Sequence, residues 1–125
     1  MSESVSGAPR TWLRLEGLAI LAASILFYRW LLGSWTMFAA VFLVPDISIA
    51  GYLGGPATGA RLYNLAHNYV VPIFLATYSI SVGREDLVAY ALIWTAHIGF
   101  DRMLGIGLKY PTGFRSTHLG KWGRE

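Results

Sequence analysis

Two carboxylates, two imidazoles and an amide stand inside long apolar stretches of this 125-residue sequence: Asp46 and Asp101, His67 and His97, and Asn64. At bilayer depth such a group costs several kcal/mol unless it is paired, protonated or bound to an ion, so each marks a site. His97 and Asp101 are four residues apart and share one helix face, and Asn64 and His67, three apart, share another. Three chemistries are open to this set. It forms a structural network that glues helices together. Or Asp46, His67, His97 and Asp101 ligate a metal, two imidazoles and two carboxylates suiting zinc or ferrous iron. Or a desolvated Asp46 or Asp101 beside a neutral His works as a general acid or base. Asn64 is the polar binding candidate beside these groups, and Trp94 and Phe100 are the aromatic candidates for lining a pocket. The sequence has no His-Glu-x-x-His and no Glu-x-x-His, so ligand spacing alone selects no enzyme class. It also has no cysteine, which excludes disulfides, iron–sulfur clusters and thiolate zinc sites.

The elements that must position these groups are apolar helices. The chain is 54% hydrophobic and 14% charged, where soluble domains carry roughly a quarter charged residues. The pattern predicts an all-α fold: one domain over 1–125, a four-transmembrane-helix bundle running up, down, up and down. The helices fall at about 15–32, 36–53, 60–81 and 86–107, with a basic tail over 108–125. Each approaches the roughly 20 residues that cross a bilayer core. Short links (Gly33-Ser34-Trp35, Gly54 to Gly59, Val82 to Glu85) make sequential helices antiparallel neighbours. Counting from the helix ends places Asp46 and His97 roughly 15–17 Å down from one side and His67 roughly 10 Å up from the other. One polar layer results, with Glu16 able to join it from below.

Basic residues set the orientation. Four crossings put Arg10, Arg14, Arg61, Lys109, Arg115, Lys121 and Arg124 on one side, against Arg29 and Arg84 on the other. The positive-inside rule then makes both termini cytoplasmic in a multi-pass inner-membrane protein. Trp35, Tyr52, Tyr110 and Trp122 read as interfacial anchors, and His118 as an exposed residue of the tail. Gly51, Gly54, Gly55 and Gly59 lack the Lys-Ser/Thr ending of a phosphate loop.

Pro45-Asp46-Ile47-Ser48 with Gly51-Tyr52, YNLAHNY at Tyr63–Tyr69, AHIGFDRMLGIGLKYPTGF at Ala96–Phe114 and Thr117-His118-Leu119-Gly120 resemble a family of small bacterial membrane proteins, domain of unknown function 4260. The resemblance runs from Leu13 to Gly120. It implies the four-helix membrane fold and singles out the same polar residues, and it implies no activity. A weaker likeness is to membrane-bound metal-dependent hydrolases, which also set a Pro-Asp pair late in one helix and histidines on others. Further acidic and His residues of those proteins are missing here. Three functions compete. One is an enzyme acting on a lipophilic substrate, by acid–base or metal-assisted chemistry in the cytoplasmic half of the bilayer. Another is an accessory subunit of a membrane complex holding a lipid, isoprenoid or pigment-like ligand. The third is a proton- or solute-conducting homo-oligomer. Membrane lipids are partners in all three, and the modest +3 charge, confined mainly to the ends, excludes nucleic acid.

Overall fold

The computed structural model describes residues 4–121. Trp122 and Arg124, expected as an interfacial anchor and a cytoplasmic cation, lie outside the described residues. The chain folds into helices α1 (Gly7–Trp30), α2 (Trp35–Phe42), α3 (Pro56–Ala66), α4 (Val70–Ser81) and α5 (Glu85–Met103), with a 3-10 segment, Val44–Gly54, between α2 and α3. A small antiparallel ladder in the tail pairs Ser116 with Lys121 and Thr117 with Gly120.

Two of the four expected helices are interrupted, each for a visible reason. In the stretch expected as one helix over 36–53, Pro45 has no N–H to give the Val41 carbonyl, and its ring crowds that turn. The backbone tightens from α to 3-10 there, and the Asp46 amide bonds the Leu43 carbonyl at 3.2 Å. The stretch expected over 60–81 starts earlier, at Pro56, and divides at His67–Tyr69. Asn68 takes over the missing backbone bonds: its Nδ2 donates to the Asn64 and Leu65 carbonyls, and its Oδ1 accepts the Val71 amide at 3.1 Å. A single residue, Gly55 at φ 103°, separates the 3-10 segment from α3, a conformation that a side chain would strain.

Trp35–Gly54, 20 residues, and α1, 24 residues, are long and apolar enough to cross a membrane. Only 6% and 17% of their most apolar windows are buried inside the protein, so their hydrocarbon faces outward. What lies inside is the seam of α1 against α5, where Gly17 and Gly99 bring two backbones together. Tyr28 plugs the far end of that seam: it is fully buried, rests on Phe38 and donates to the Ser34 carbonyl. At the near end α5 closes in a Schellman motif, with the Gly105 amide on Arg102 O and the Ile106 amide on Asp101 O. Arg14 donates to Met103 O and Arg10 to Leu119 O, tying α1 to the helix end and the tail.

A Cβ on Gly99 would stand 2.7 Å from Gly17 O and 2.9 Å from the Leu21 amide nitrogen, backbone atoms with nowhere to retreat. Gly99→Leu is therefore expected to destabilise the fold by about 1–3 kcal/mol through overpacking. Gly113→Leu, in the open tail, is the control. Thermal midpoints of the two variants in detergent check this.

Candidate metal centre

The helix interruptions release carbonyls, and those carbonyls aim the site. In an unbroken helix Phe42 O would accept the Asp46 amide; with that amide turned to Leu43, Phe42 O accepts His97 Nδ1–H at 2.6 Å. Likewise the His67 amide bonds Asn64 O, and Tyr63 O accepts the His67 Nδ1–H instead, at 2.8 Å. A carbonyl only accepts, so both rings carry their proton on Nδ1 and present a bare Nε2 lone pair inward when neutral.

The two Nε2 atoms are 3.2 Å apart. Asp46 Oδ1 lies 3.1 Å from His67 Nε2 and 3.2 Å from His97 Nε2. Asp101 Oδ2 lies 3.4 Å from His97 Nε2 and 3.7 Å from His67 Nε2. All four ligand atoms fall within 4.8 Å of one another. Ligands about 2.0–2.1 Å from a tetrahedral zinc stand about 3.3–3.4 Å from each other, so five edges of the polyhedron already have close to the required length. The cluster can hold a metal ion. Two carboxylates balance one divalent cation, leaving the site neutral in apolar surroundings.

Supports surround the ligands. Tyr63 stacks on the His67 ring (3.6 Å between centroids, 7° between planes) and donates its hydroxyl to Asp101 Oδ2 at 3.3 Å. Phe42 packs on the His97 ring at 5.0 Å and Phe100 packs edge-on against Phe42 at 5.8 Å, so Phe100 backs the ring that rests on His97. Both imidazoles are buried and Asp101 nearly so, whereas the Asp46 side chain keeps 43% exposure. Asp46 is the open wall.

The four candidate ligands thus come together, and other residues take different places. Asn64 spans α3 and the tail: its Nδ2 donates to Lys109 O at 2.9 Å and its Oδ1 accepts the Lys109 amide. Trp94 lines an apolar cleft and donates Nε1–H to Ala66 O. Glu16, which could have joined the layer from below, is exposed on α1 and is not one of the four clustered residues. Arg102 turns from Asp101 to the His67 carbonyl, at 3.1 Å, and sits over the Tyr69 ring. His118, expected exposed, is half-buried and accepts the Leu108 amide on Nδ1 at 2.9 Å; burial and then Arg102 push its imidazole below the usual histidine range. Sequence reasoning missed Tyr63, though its position four residues before His67 placed it on that face. It also missed Lys109, which nothing local marked. This lysine is buried, donates to Phe114 O and sits over the Phe114 and Tyr63 rings.

Residues 10–122 match the family described as Domain of unknown function (DUF4260), and the chain belongs to that family. No curated protein and no solved structure matches it.

Burial pulls the Lys109 ammonium down to about 8, against attraction from Asp101 and Asp46. The unfolded chain holds that proton to the ordinary lysine range, so between the two values it binds more protons than the folded protein, and stability rises with pH. The thermal midpoint is expected to climb from about pH 8 to about pH 10. Lys109→Met should flatten that segment of the curve, and circular dichroism melts across the range read it.

Proposed function

We propose that this DUF4260 protein is a membrane-embedded metalloprotein. Asp46, His67, His97 and Asp101 hold one divalent cation, zinc or ferrous iron, for metal-assisted chemistry on a lipophilic substrate. The observation that carries the reading is the convergence of two Nε2 atoms at 3.2 Å. Each is locked inward by a backbone carbonyl, and both carboxylates approach the same point. Four lone-pair donors repel one another unless positive charge lies between them. Outer carbonyls that fix a histidine's tautomer are also the usual support of a metal site.

A metal with four closed protein ligands is structural, whereas a working one keeps a position that water or substrate can reach. The exposure of Asp46 supports the second arrangement, since its carboxylate can shift without disturbing the buried three. A divalent cation there supplies Lewis acidity toward a carbonyl or phosphoryl oxygen and lowers the pKa of a bound water. The outward apolar faces of α1 and Trp35–Gly54 support a bilayer setting. Within it we place four crossings, both ends cytoplasmic, in a bacterial inner membrane, with α3 and α4 together forming the third crossing.

Two experiments test the parts separately. The purified protein is expected to carry about one zinc or iron per chain by elemental analysis. Asp46→Asn keeps the shape while removing the charge, so it should lose the metal and melt no lower than the metal-free parent. His97→Ala should lose the metal and also about 1–3 kcal/mol, because Phe42 O is left unpaired. A parent that neither retains nor is stabilised by zinc or ferrous iron reduces the cluster to a hydrogen-bond network. For topology, the chain has no native cysteine. Glu85→Cys should react with an impermeant maleimide in intact cells and Thr112→Cys only after permeabilisation; equal labelling of both excludes the four crossings.

A further inference from the structure

Two apolar clefts adjoin the metal cluster and share Ser48, Ala66 and Trp94 as a common wall. One, of about 310 Å³, reaches toward Val41 and Tyr90. The other, of about 690 Å³, reaches toward Leu62 and Val71, and both open on the protein surface. Together they form one groove between the 3-10 segment and helices α3 to α5.

The polar atoms of the shared wall are already committed inside the protein. Ser48 Oγ donates to Pro45 O at 2.7 Å, and Trp94 Nε1 donates to Ala66 O at 2.6 Å. A ligand that needs directed hydrogen bonds finds little there; a hydrocarbon chain finds a matching surface. Residues at the groove's rim, Val44, Ile47 and Leu65, are 50%, 69% and 61% exposed, so the groove continues into the outward apolar face. The wall is also built from neighbours of the ligands: Pro45 precedes Asp46, Ala66 precedes His67, and Trp94 lies one turn before His97.

We infer that the groove holds one acyl chain of a membrane lipid, drawn in from the bilayer past the open side of Asp46, and that acyl lipids are the substrate class of the metal centre. The substrate claim rests on the metal reading above, while occupancy of the groove rests only on the membrane setting. The groove gives the site length and apolar selectivity. Asp46, the exposed ligand, is where the polar part of that lipid meets the cation.

Photolabelling tests this in vesicles of phosphatidylethanolamine and phosphatidylglycerol doped with a phosphatidylethanolamine whose acyl chain carries a mid-chain diazirine. Labelling is expected to concentrate on peptides containing Ser48, Ala66 and Trp94. Val41→Phe and Val71→Phe fill the two ends without touching a ligand, and either should cut that labelling several-fold. Bound metal is measured on the same samples and should stay at the parent's level, which shows that the variant is folded. Labelling spread evenly over α1 and the groove peptides, or unchanged in both variants at full metal content, overturns the proposal. Groove labelling in a protein that binds no metal keeps the lipid site and removes the metal chemistry. Groove labelling that an added free fatty acid fully displaces, but unlabelled phospholipid does not, overturns the choice of a membrane lipid as occupant.

Discussion

Both imidazoles are aimed by carbonyls that regular helix would have consumed. Phe42 O is free because Pro45 forces a 3-10 turn, and Tyr63 O is free because α3 ends one residue before His67. Each carbonyl takes an Nδ1–H, and each ring is thereby turned so that Nε2 points to the other. The rest of the structure around the site follows from that constraint. Carbonyls at the end of α3 need donors, and side chains supply them: His67 at Tyr63 O, Asn68 at Asn64 O and Leu65 O, Trp94 at Ala66 O. Arg102 then reaches the His67 carbonyl just beyond. An interrupted helix in an apolar setting is tolerated only where its loose backbone groups are answered. Here two of the answers, His67 and His97, are members of the Asp/His cluster.

The clustered residues were legible in the sequence because ionisable groups in apolar segments have few reasons to be there. The i, i+4 spacing of His97 and Asp101 and the mid-segment position of Asp46 carried enough geometry to put them in one layer. The interruptions were legible only in part. Pro45 is an evident breaker, yet the spacing gives no sign that the chain continues as 3-10 rather than as a kinked α-helix. The division at His67 has no proline at all; it depends on Asn68 bonding backbone groups on both sides, a choice between competing local hydrogen bonds. Asn64 was read as a polar binding candidate beside the cluster, yet its side chain bonds the tail. Its true partner, the Lys109 backbone, is 45 residues away and is brought there by a tail that periodicity does not describe.

That tail has more structure than its composition implies. A basic, glycine-rich segment after the last helix reads as solvated charge. Instead the Schellman turn at Gly105 folds it back, Asn64 grips its backbone, and Arg10 holds it at Leu119. Lys109 then lies on the face of Tyr63, the residue that stacks on His67 and bonds Asp101. The tail thus touches the site through one aromatic ring. A positive charge over Tyr63 polarises its hydroxyl as a donor toward the Asp101 carboxylate, which helps keep that oxygen where the two Nε2 atoms converge.

The same arrangement can draw its positive charge from protons or from a metal, and the two fill it differently. Two protons can each bridge one Nε2 to a carboxylate, His67 with Asp46 at 3.1 Å and His97 with Asp101 at 3.4 Å, while the two Nε2 atoms stay 3.2 Å apart. One proton on either Nε2 can be shared with the other Nε2 at 3.2 Å or with Asp46 Oδ1 at just over 3 Å. In the proposed metal form a single cation at the centre faces all four groups at once, needs no change in either tautomer, and cancels both carboxylates where the surrounding helices offer little polarity to do so.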